Sequence, residues 1–345
     1  MNTSSLGLVL ASATSLSNVA LDVSRKKTLQ GKKLLRTTFF LRLATAGFLT
    51  LMLLARWHIG IAPHFWPIEA PANHLSFLPP FGIYLFYLLL NSALIALNIV
   101  LYNRTVQIAP LSLTIPFLAF TPVFLLGSGY LILGENPGLL KCEGVLFVVL
   151  GSMLMHRQSF RHGIFAPFLA VFREPGSRYM LAVSLIFSIT NPVDKKLVEL
   201  SDSYSYSWAY AMMSVVIFGV PMLYQRINGN IDRAPVRTKW IVLTGFIDAL
   251  TLLLQLVTLR YIDVVLVIAL KRAGIILTVL AGWLIFREKD ITDRMIAAAV
   301  MLVGALMVYL PMTGKEQLTV TIVTVVALGI ALSLTRNNSR AAETA

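Results

Sequence analysis

The sequence predicts an all-α polytopic membrane protein with an inverted repeat of two five-helix bundles, a ten-helix core, plus an extra C-terminal transmembrane helix. Composition is the first observation: 57% of the 345 residues are hydrophobic and 13% are charged, against about 25% charged in a soluble domain. The second observation is a series of apolar segments of spanning length. The third is a similarity between the two halves of the chain at a constant spacing.

The apolar segments define predicted helices 1 to 11, each near the roughly 20 residues that cross a bilayer. They cover residues 3–22, 37–55, 80–102, 110–133, 138–155, 179–198, 205–225, 240–259, 264–286, 292–311 and 318–335. Helix 1 is the least apolar, because serine, threonine and asparagine recur along it. Two interpretations of its polar side stay open: it faces a cavity, or it packs against other helices through small residues.

The distribution of lysine and arginine predicts the orientation of the chain. Twenty of the 29 cations lie after odd-numbered helices or in the C-terminal tail, and six lie on the opposite side. Because cytoplasmic loops are enriched in these residues, we expect a multi-pass protein of the cell membrane with its N-terminus outside and its C-terminus in the cytoplasm. The remaining three cations, Arg42, Lys271 and Arg272, fall inside helices.

The composition also excludes some ligands. The net charge of +13 could indicate nucleic acid, but the cations lie mostly in short loops between helices, so we expect no nucleic-acid partner. The single Cys142 excludes an internal disulfide and a multi-cysteine zinc site. The five histidines show no ligand spacing, and we expect no metal and no cofactor.

The ends of the two halves align at a shift of 153 residues. GYLILGE, at Gly129–Glu135, then falls on GWLIFRE, at Gly282–Glu288, and Gly151 falls on Gly304. The glutamates of these two motifs lie at helix ends, where we expect solvation or loop capping. The consistent register over two helices indicates an internal repeat.

The starts of the two halves also resemble each other. Ser15–Asn18 matches Ser188–Asn191 at a shift of 173 residues, and Asp22 and Asp194 follow. The outer loop over 56–79 can supply the additional length of the first half.

A repeat of five helices is an odd number, so the second copy enters the membrane from the opposite side. This inverted repeat is the architecture of many secondary transporters, whose substrate sites lie near mid-depth between the repeats. The predicted domains are the first repeat at 1–156, the second repeat at 157–312, and the extra helix with its cytoplasmic tail at 313–345.

Several short motifs, in this order and spacing, resemble the EamA-type transporters of the drug/metabolite transporter (DMT) superfamily. They are Tyr102, Ala109-Pro110-Leu111, Thr121-Pro122-Val123, the turn Leu133–Pro137, Lys271-Arg272, Gly282-Trp283-Leu284, Arg287-Glu288-Lys289 and Gly304. The resemblance covers residues 3–311 and implies a ten-helix inverted-repeat exporter or permease of small metabolites. The eleventh helix and the outside N-terminus depart from the usual family pattern.

Two adjacent cations, Lys271 and Arg272, lie inside predicted helix 9, where a charge costs at least about 2.5–3.5 kcal/mol. One interpretation is a buried ion pair between Arg272 and Asp248 of helix 8, which leaves Lys271 unexplained. A second is snorkelling of Lys271 to the outer interface, and Arg42 is expected to snorkel to the cytoplasmic one. The third is a polar cavity in which a cation binds an anionic group of a substrate.

The third interpretation gives the predicted substrate site. Its candidate residues are Lys271, Arg272, Asp248, Gln255, Asn98, Tyr102, Asn18 and Asn191. The expected partners are a small-molecule substrate, membrane lipid and a coupling proton, and the protein is expected to be a monomer or a homodimer.

The predicted function is a secondary transporter, a permease or exporter, of a small polar metabolite, an anionic one included, by alternating access. A flippase for a lipid-linked or amphipathic substrate is the alternative, and a non-transporting membrane scaffold is a minor one. The chain shows no Walker motif and no clustered histidine or acidic motif of a membrane-embedded enzyme, so we expect no enzymatic activity.

Overall fold

The computed structural model describes residues 3–65, 79–125, 138–156, 166–228, 237–262, 264–288, 291–309, 313–316, 318–327 and 329. Within these ranges every regular element is helical. The helices are α1 (Thr3–Leu29), α2 (Leu34–His58), α3 (Pro80–Ile108), α4 (Leu111–Leu125), α5 (Gly138–Met155), α6 (Pro175–Leu200), α7 (Ser203–Ile227), α8 (Thr238–Thr258), α9 (Val264–Phe286) and α10 (Ile291–Tyr309). A short linker helix (Ala166–Arg173) precedes α6, and residues 318–327 are helical within the predicted eleventh helix.

Six of the described helices are long and apolar enough to cross a membrane. They are Leu6–Leu29, Leu34–His58, Phe81–Ile108, Ser203–Ile227, Thr238–Thr258 and Ile291–Val308. Large apolar side chains such as Leu51 and Leu223 are exposed on their outer faces, as a lipid-facing surface requires. The predicted helical, multi-pass membrane protein is confirmed, and the count of ten helices plus one stays a prediction.

The end of α1 differs from the prediction. The sequence places residues 23–29 in a basic loop, whereas the structure continues α1 to Leu29. Lysine and arginine are good helix formers, and cations near a helix C-terminus interact favourably with its dipole. As a consequence, Arg25 lies on a helix and not in a loop.

The chain folds into two compact units. The first unit comprises Met1–Ile108 and Ile186–Lys271, and the second comprises Ala109–Leu185 and Arg272–Ala345. The first unit therefore contains α1–α3, α7, α8, the part of α6 that starts at Ile186 and the part of α9 that ends at Lys271. The second contains α4, α5, α10 and the remaining parts of α6 and α9.

In the first unit, α1 packs against α8, and α2 packs against both α7 and α8. Gly245 of α8 permits the close approach to α2, because a Cβ there would lie 2.5 Å from the Cβ of Ala44. Side chains of α3 and α6 contribute to one hydrophobic cluster, in which Ile83 and Leu197 are fully buried. These contacts are made by apolar and small residues, so the polar side chains of the same helices remain for the interior cavity described below.

In the second unit, α5 and α10 cross at four small-residue contacts. A Cβ at Gly144 would lie 2.7 Å from the Gly304 carbonyl oxygen, and one at Gly304 would lie 2.7 Å from the Val148 nitrogen. Seven residues after Gly144, Gly151 meets the Ala297 carbonyl oxygen and the Met301 nitrogen, each at 2.9 Å from its ideal Cβ. The two helices therefore run antiparallel. A shift of 153 residues exchanges Gly144 with Ala297, Val148 with Met301 and Gly151 with Gly304, so each contact maps onto another.

Candidate functional site

A cavity of about 110 Å³ lies inside the first unit. Its polar lining comes from seven helices and consists of Asn18, Arg25, Arg42, Asn98, Tyr102, Thr190, Asp194, Tyr206, Tyr210, Asp248, Thr251, Gln255 and Lys271. The volume is below the roughly 300–1,000 Å³ of pockets for drug-sized ligands, so the cavity suits a small polar group. Polar groups at this depth are expensive and mark functional sites by default.

The structure brings six of the eight predicted site residues together at this cavity: Asn18, Asn98, Tyr102, Asp248, Gln255 and Lys271. Asn191 is buried on α6, but its neighbour Thr190 is the one that lines the cavity. Arg272 belongs to the second unit, where its Nη2 donates a hydrogen bond to Thr121 Oγ1 at 2.7 Å. That any of these residues binds a substrate stays a prediction.

The cavity lining follows the repeat. The four lining residues of α3 and the four of α8 are separated by 153 positions each: Ile95 and Asp248, Asn98 and Thr251, Ile99 and Leu252, Tyr102 and Gln255. Three of these pairs join polar with polar or apolar with apolar residues. In the fourth pair, Ile95 and Asp248, only the second repeat has a carboxylate at the equivalent position.

Asp248 is held by two arginines. Its carboxylate lies 2.6 Å from Arg25 Nη2 and 2.7 Å from Arg42 Nη2, and it accepts a hydrogen bond from Thr45 Oγ1 at 2.8 Å. Arg42 is only 3% exposed, so the prediction that it snorkels to the interface is wrong. The physical reason is that the buried carboxylate supplies its counter-charge inside the protein.

The partners of Asp248 differ from the predicted ion pair with Arg272. The sequence suggested Arg272 as its partner because helices 8 and 9 are adjacent in the chain. In the structure the carboxylate is engaged by Arg25 and Arg42, more than 200 residues away in sequence. Sequence reasoning missed Arg25 because it assigned that residue to a loop.

Lys271 reaches the cavity through Gln255. Its Nζ donates a hydrogen bond to Gln255 Oε1 at 2.7 Å and lies 6.0 Å from the centroid of the Phe187 ring. Gln255 therefore lies level with Lys271. Because neighbouring residues in a helix point about 100° apart, Lys271 and Arg272 have separate partners, Gln255 in the first unit and Thr121 in the second.

A second buried carboxylate, Asp194 of α6, lines the same cavity. Its Oδ1 accepts hydrogen bonds from Asn91 Nδ2 at 2.7 Å and from the Tyr206 hydroxyl at 2.5 Å. Asn91 also donates to the Tyr206 oxygen at 2.7 Å. The sequence noted Asp194 only for its resemblance in position to Asp22. Its place inside predicted helix 6, four residues before the end, was the signal that could have identified it.

Asp22, the corresponding residue of the first half, is also bound by a tyrosine. It accepts a hydrogen bond from the Tyr102 hydroxyl at 2.5 Å, and the Arg25 guanidinium lies 5.2 Å from the centroid of the Tyr102 ring. Tyr102 is therefore a buried polar residue of the cavity wall.

Among the described lining residues, Asn98, Arg25 and Arg42 have buried polar atoms that make no hydrogen bond, and Asn98 is the uncharged one. Asn98 is 2% exposed, and its Nδ2 makes no hydrogen bond with the described residues. A buried amide without a partner costs free energy, so this atom is a candidate donor to a bound ligand.

The second unit contains a carboxylate with a structural role. Glu288 accepts the backbone N–H groups of Leu111 and Ser112, both at 2.9 Å, at the first turn of α4. Arg294 Nη1 donates to Ser112 Oγ at 2.6 Å beside it. The expected capping role of Glu288 is confirmed, while its counterpart Glu135 lies outside the described residues.

Asp202 lies outside the spanning segments, at the N-cap of α7. It accepts the Tyr204 backbone N–H at 2.9 Å and the His64 backbone N–H at 3.0 Å, and it pairs with Arg56. Burial acts to raise the pKa of Asp202, but its hydrogen bonds, first that from Ser205, outweigh burial, and the pKa lies below its usual range.

Spanning helices surround a charged, partly buried cavity, an arrangement that occurs in membrane transporters. Residues 175–310 match the model of the EamA-like transporter family. The resemblance to EamA-type transporters of the DMT superfamily is thereby confirmed on the second half of the chain. The family consists of membrane transporters of this type.

Comparison with curated proteins gives no match. Fifteen chains of solved structures match, among them one titled only as the crystal structure of a protein. It is 13% identical, covers 86% of this chain and 95% of its own, and superposes with a TM-score of 0.52. At that identity the likeness concerns the fold alone.

Proposed function

We propose that the protein is a secondary transporter that carries a small polar, anionic metabolite across the cell membrane by alternating access. The observation that carries the proposal is the formal charge of the cavity. Three cations, Arg25, Arg42 and Lys271, face two carboxylates, Asp194 and Asp248. A third carboxylate, Asp22, lies behind Tyr102 and interacts with Arg25, but it is not part of the lining. The lining itself carries one more positive than negative group, which favours an anionic ligand.

Alternating access is supported by the repeat. Antiparallel packing of α5 on α10, with contacts that map onto each other at a shift of 153 residues, is the geometry expected of inverted repeats. The same shift relates the cavity linings of α3 and α8. The ten-helix core, the extra helix and the cytoplasmic C-terminus belong to this proposal.

The size of the cavity favours a metabolite over the flippase alternative. A space of about 110 Å³ holds a few water molecules or a small ionised group, at roughly 30 Å³ for each water of liquid volume. A lipid-linked substrate needs a far larger space. A scaffold would gain nothing from buried charges of this cost.

The test begins with a screen of small anionic metabolites for thermal stabilisation of the purified full-length protein. Compounds that stabilise it are then assayed for uptake into proteoliposomes. We expect Lys271→Gln to abolish uptake while melting temperature and membrane insertion stay near wild type, because an exchange of ammonium for amide keeps the packing. The matched control is Lys239→Gln, at an exposed position on α8. Unchanged uptake by Lys271→Gln, or stabilisation by cations only, contradicts the proposal.

A further inference from the structure

The cavity of the first unit contains two buried carboxylates with partners of different charge. Asp248 is paired with Arg25 and Arg42 at 2.6 and 2.7 Å. Asp194 is bound by Asn91 and Tyr206, both uncharged donors, at 2.7 and 2.5 Å. This difference determines how each carboxylate responds to a proton.

Protonation of Asp248 would leave two guanidinium groups without their counter-charge in a buried site, which is strongly unfavourable. Protonation of Asp194 instead removes a buried charge whose hydrogen-bond donors are neutral. Both of those donors reach Oδ1, so Oδ2 receives neither bond. Because Asp194 lines the cavity, Oδ2 is the oxygen that can take up a proton from it.

Charged and titratable groups of several neighbouring helices surround Asp194. These are Tyr206 and Tyr210 of α7, Lys271 of α9 and, across the cavity, the cluster of Asp248 with Arg25 and Arg42. The cation that interacts electrostatically with Asp194 is Lys271. An ionised Asp194 therefore attracts the Lys271 ammonium, and neutralisation of Asp194 strengthens the net attraction of Lys271 for another anion.

We propose that Asp194 is the proton-coupling residue of the transporter. A proton from the cavity binds Oδ2, Asp194 becomes neutral, and the Lys271 ammonium then binds the anionic substrate, so that proton and anion are carried together. The inference rests on the proposed function and names its coupling ion. Binding is reciprocal: a proton on Asp194 tightens anion binding, and a bound anion tightens proton binding. With one proton per monovalent anion, a gradient of one pH unit supports about tenfold accumulation.

The protonation step is tested by infrared difference spectroscopy of the purified full-length protein between neutral and acidic buffer. We expect a C=O band of a buried protonated carboxyl that is lost in Asp194→Asn. The matched control is Glu199→Gln, an exposed carboxylate on the same helix, which should keep the band. A band that persists in Asp194→Asn, or its absence from the wild type, overturns the proposal.

A second variant covers the case in which Asp194→Asn fails to fold. Tyr206→Phe removes one donor to the carboxylate, so the midpoint of the same band should move to higher pH. An unchanged midpoint in Tyr206→Phe overturns the proposal in the same way.

The coupling to an anion is tested with methanesulfonate, a small monoanion that has no C=O band. A tenfold preference of this probe for the protonated form raises the midpoint by up to about one pH unit. The shift should be lost in Lys271→Gln and kept in Lys239→Gln. An unchanged wild-type midpoint overturns the coupling. Failure of uptake in every proteoliposome assay would overturn the proposed function and with it the transport of the proton, whereas the infrared measurements separately decide whether Asp194 is protonated and whether its proton is coupled to anion binding.

Discussion

The Asp248→Asn substitution should destabilise the first unit strongly. The side chains of Asp248 and Arg42 are 6% and 3% exposed, and that of Arg25 is 14% exposed. Removal of one partner of a buried ion pair costs about 3–5 kcal/mol, because the remaining charge is left without compensation. Here one carboxylate serves two guanidinium groups, so we expect a loss of unfolding free energy near the upper end of that range.

Two features of the site isolate the charge as the cause. Asparagine has nearly the volume of aspartate, and its amide oxygen can still accept the hydrogen bond from Thr45 Oγ1, which is 2.8 Å long in the wild type. The double variant Asp248→Asn with Arg42→Met removes one of the two uncompensated cations and should recover part of the loss. Contacting residues typically show coupling energies of about 0.5–3 kcal/mol.

The assay is denaturant titration of the purified protein in mixed micelles, with the unfolding free energy compared among wild type, both single variants and the double variant. Glu199→Gln is the control for the loss of an exposed carboxylate. The reasoning is refuted if Asp248→Asn loses less than about 1 kcal/mol, the scale of an exposed pair, or if the double variant is simply the sum of the two single ones.

Three further predictions concern Asp202 at the N-cap of α7, the crossing of α5 with α10 and the orientation of the chain. Because the pKa of Asp202 is lowered in the folded protein, the stability it contributes is present above its unfolded pKa of about 4 and is lost as the pH falls further. Thermal scans over this acidic range should therefore show a weaker dependence of melting temperature on pH in Asp202→Asn than in the wild type. Gly304→Ala should cost about 1–3 kcal/mol of unfolding free energy by overpacking, since its Cβ would lie 2.6 Å from the Gly144 carbonyl oxygen, whereas Gly47→Ala, in open space on α2, should not destabilise. In a Cys142→Ser background, Ser4→Cys should react with an impermeant maleimide in intact cells, and labelling only after permeabilisation would reverse the predicted orientation.

The helical membrane fold could be predicted because its signals are local. Long apolar segments and a low charged fraction follow directly from the cost of polar groups in lipid. The repeat could also be recognised, since glycines at close helix crossings, such as Gly151 and Gly304, have few substitutes. The capping role of Glu288 was expected from its position at a helix end.

The candidate site could be predicted in part. Lys271, Asp248 and Gln255 were identified because a charge or amide inside an apolar helix is energetically conspicuous. Arg25 was missed because a basic run after an apolar segment is typical of a loop, and only the extension of α1 to Leu29 brings it to Asp248. Such a partner, 223 residues away, leaves no local pattern in one sequence.

The cavity contains two charged groups of residues, Asp248 with its two arginines and Asp194 with Lys271, and they differ because the repeat is not symmetric in charge. At a shift of 153 residues Asp248 replaces Ile95, so the repeat alone does not generate the arginine-paired carboxylate. Asp194 remains with neutral donors, and Lys271 with a neutral acceptor, Gln255. A fully symmetric cavity would present equal charges at equivalent positions of both repeats. The asymmetric cavity separates a fixed ion-pair cluster from Asp194, a carboxylate that can be neutralised. Because of this separation, binding of a proton to Asp194 can change the affinity for an anion without breaking the ion pairs of Asp248.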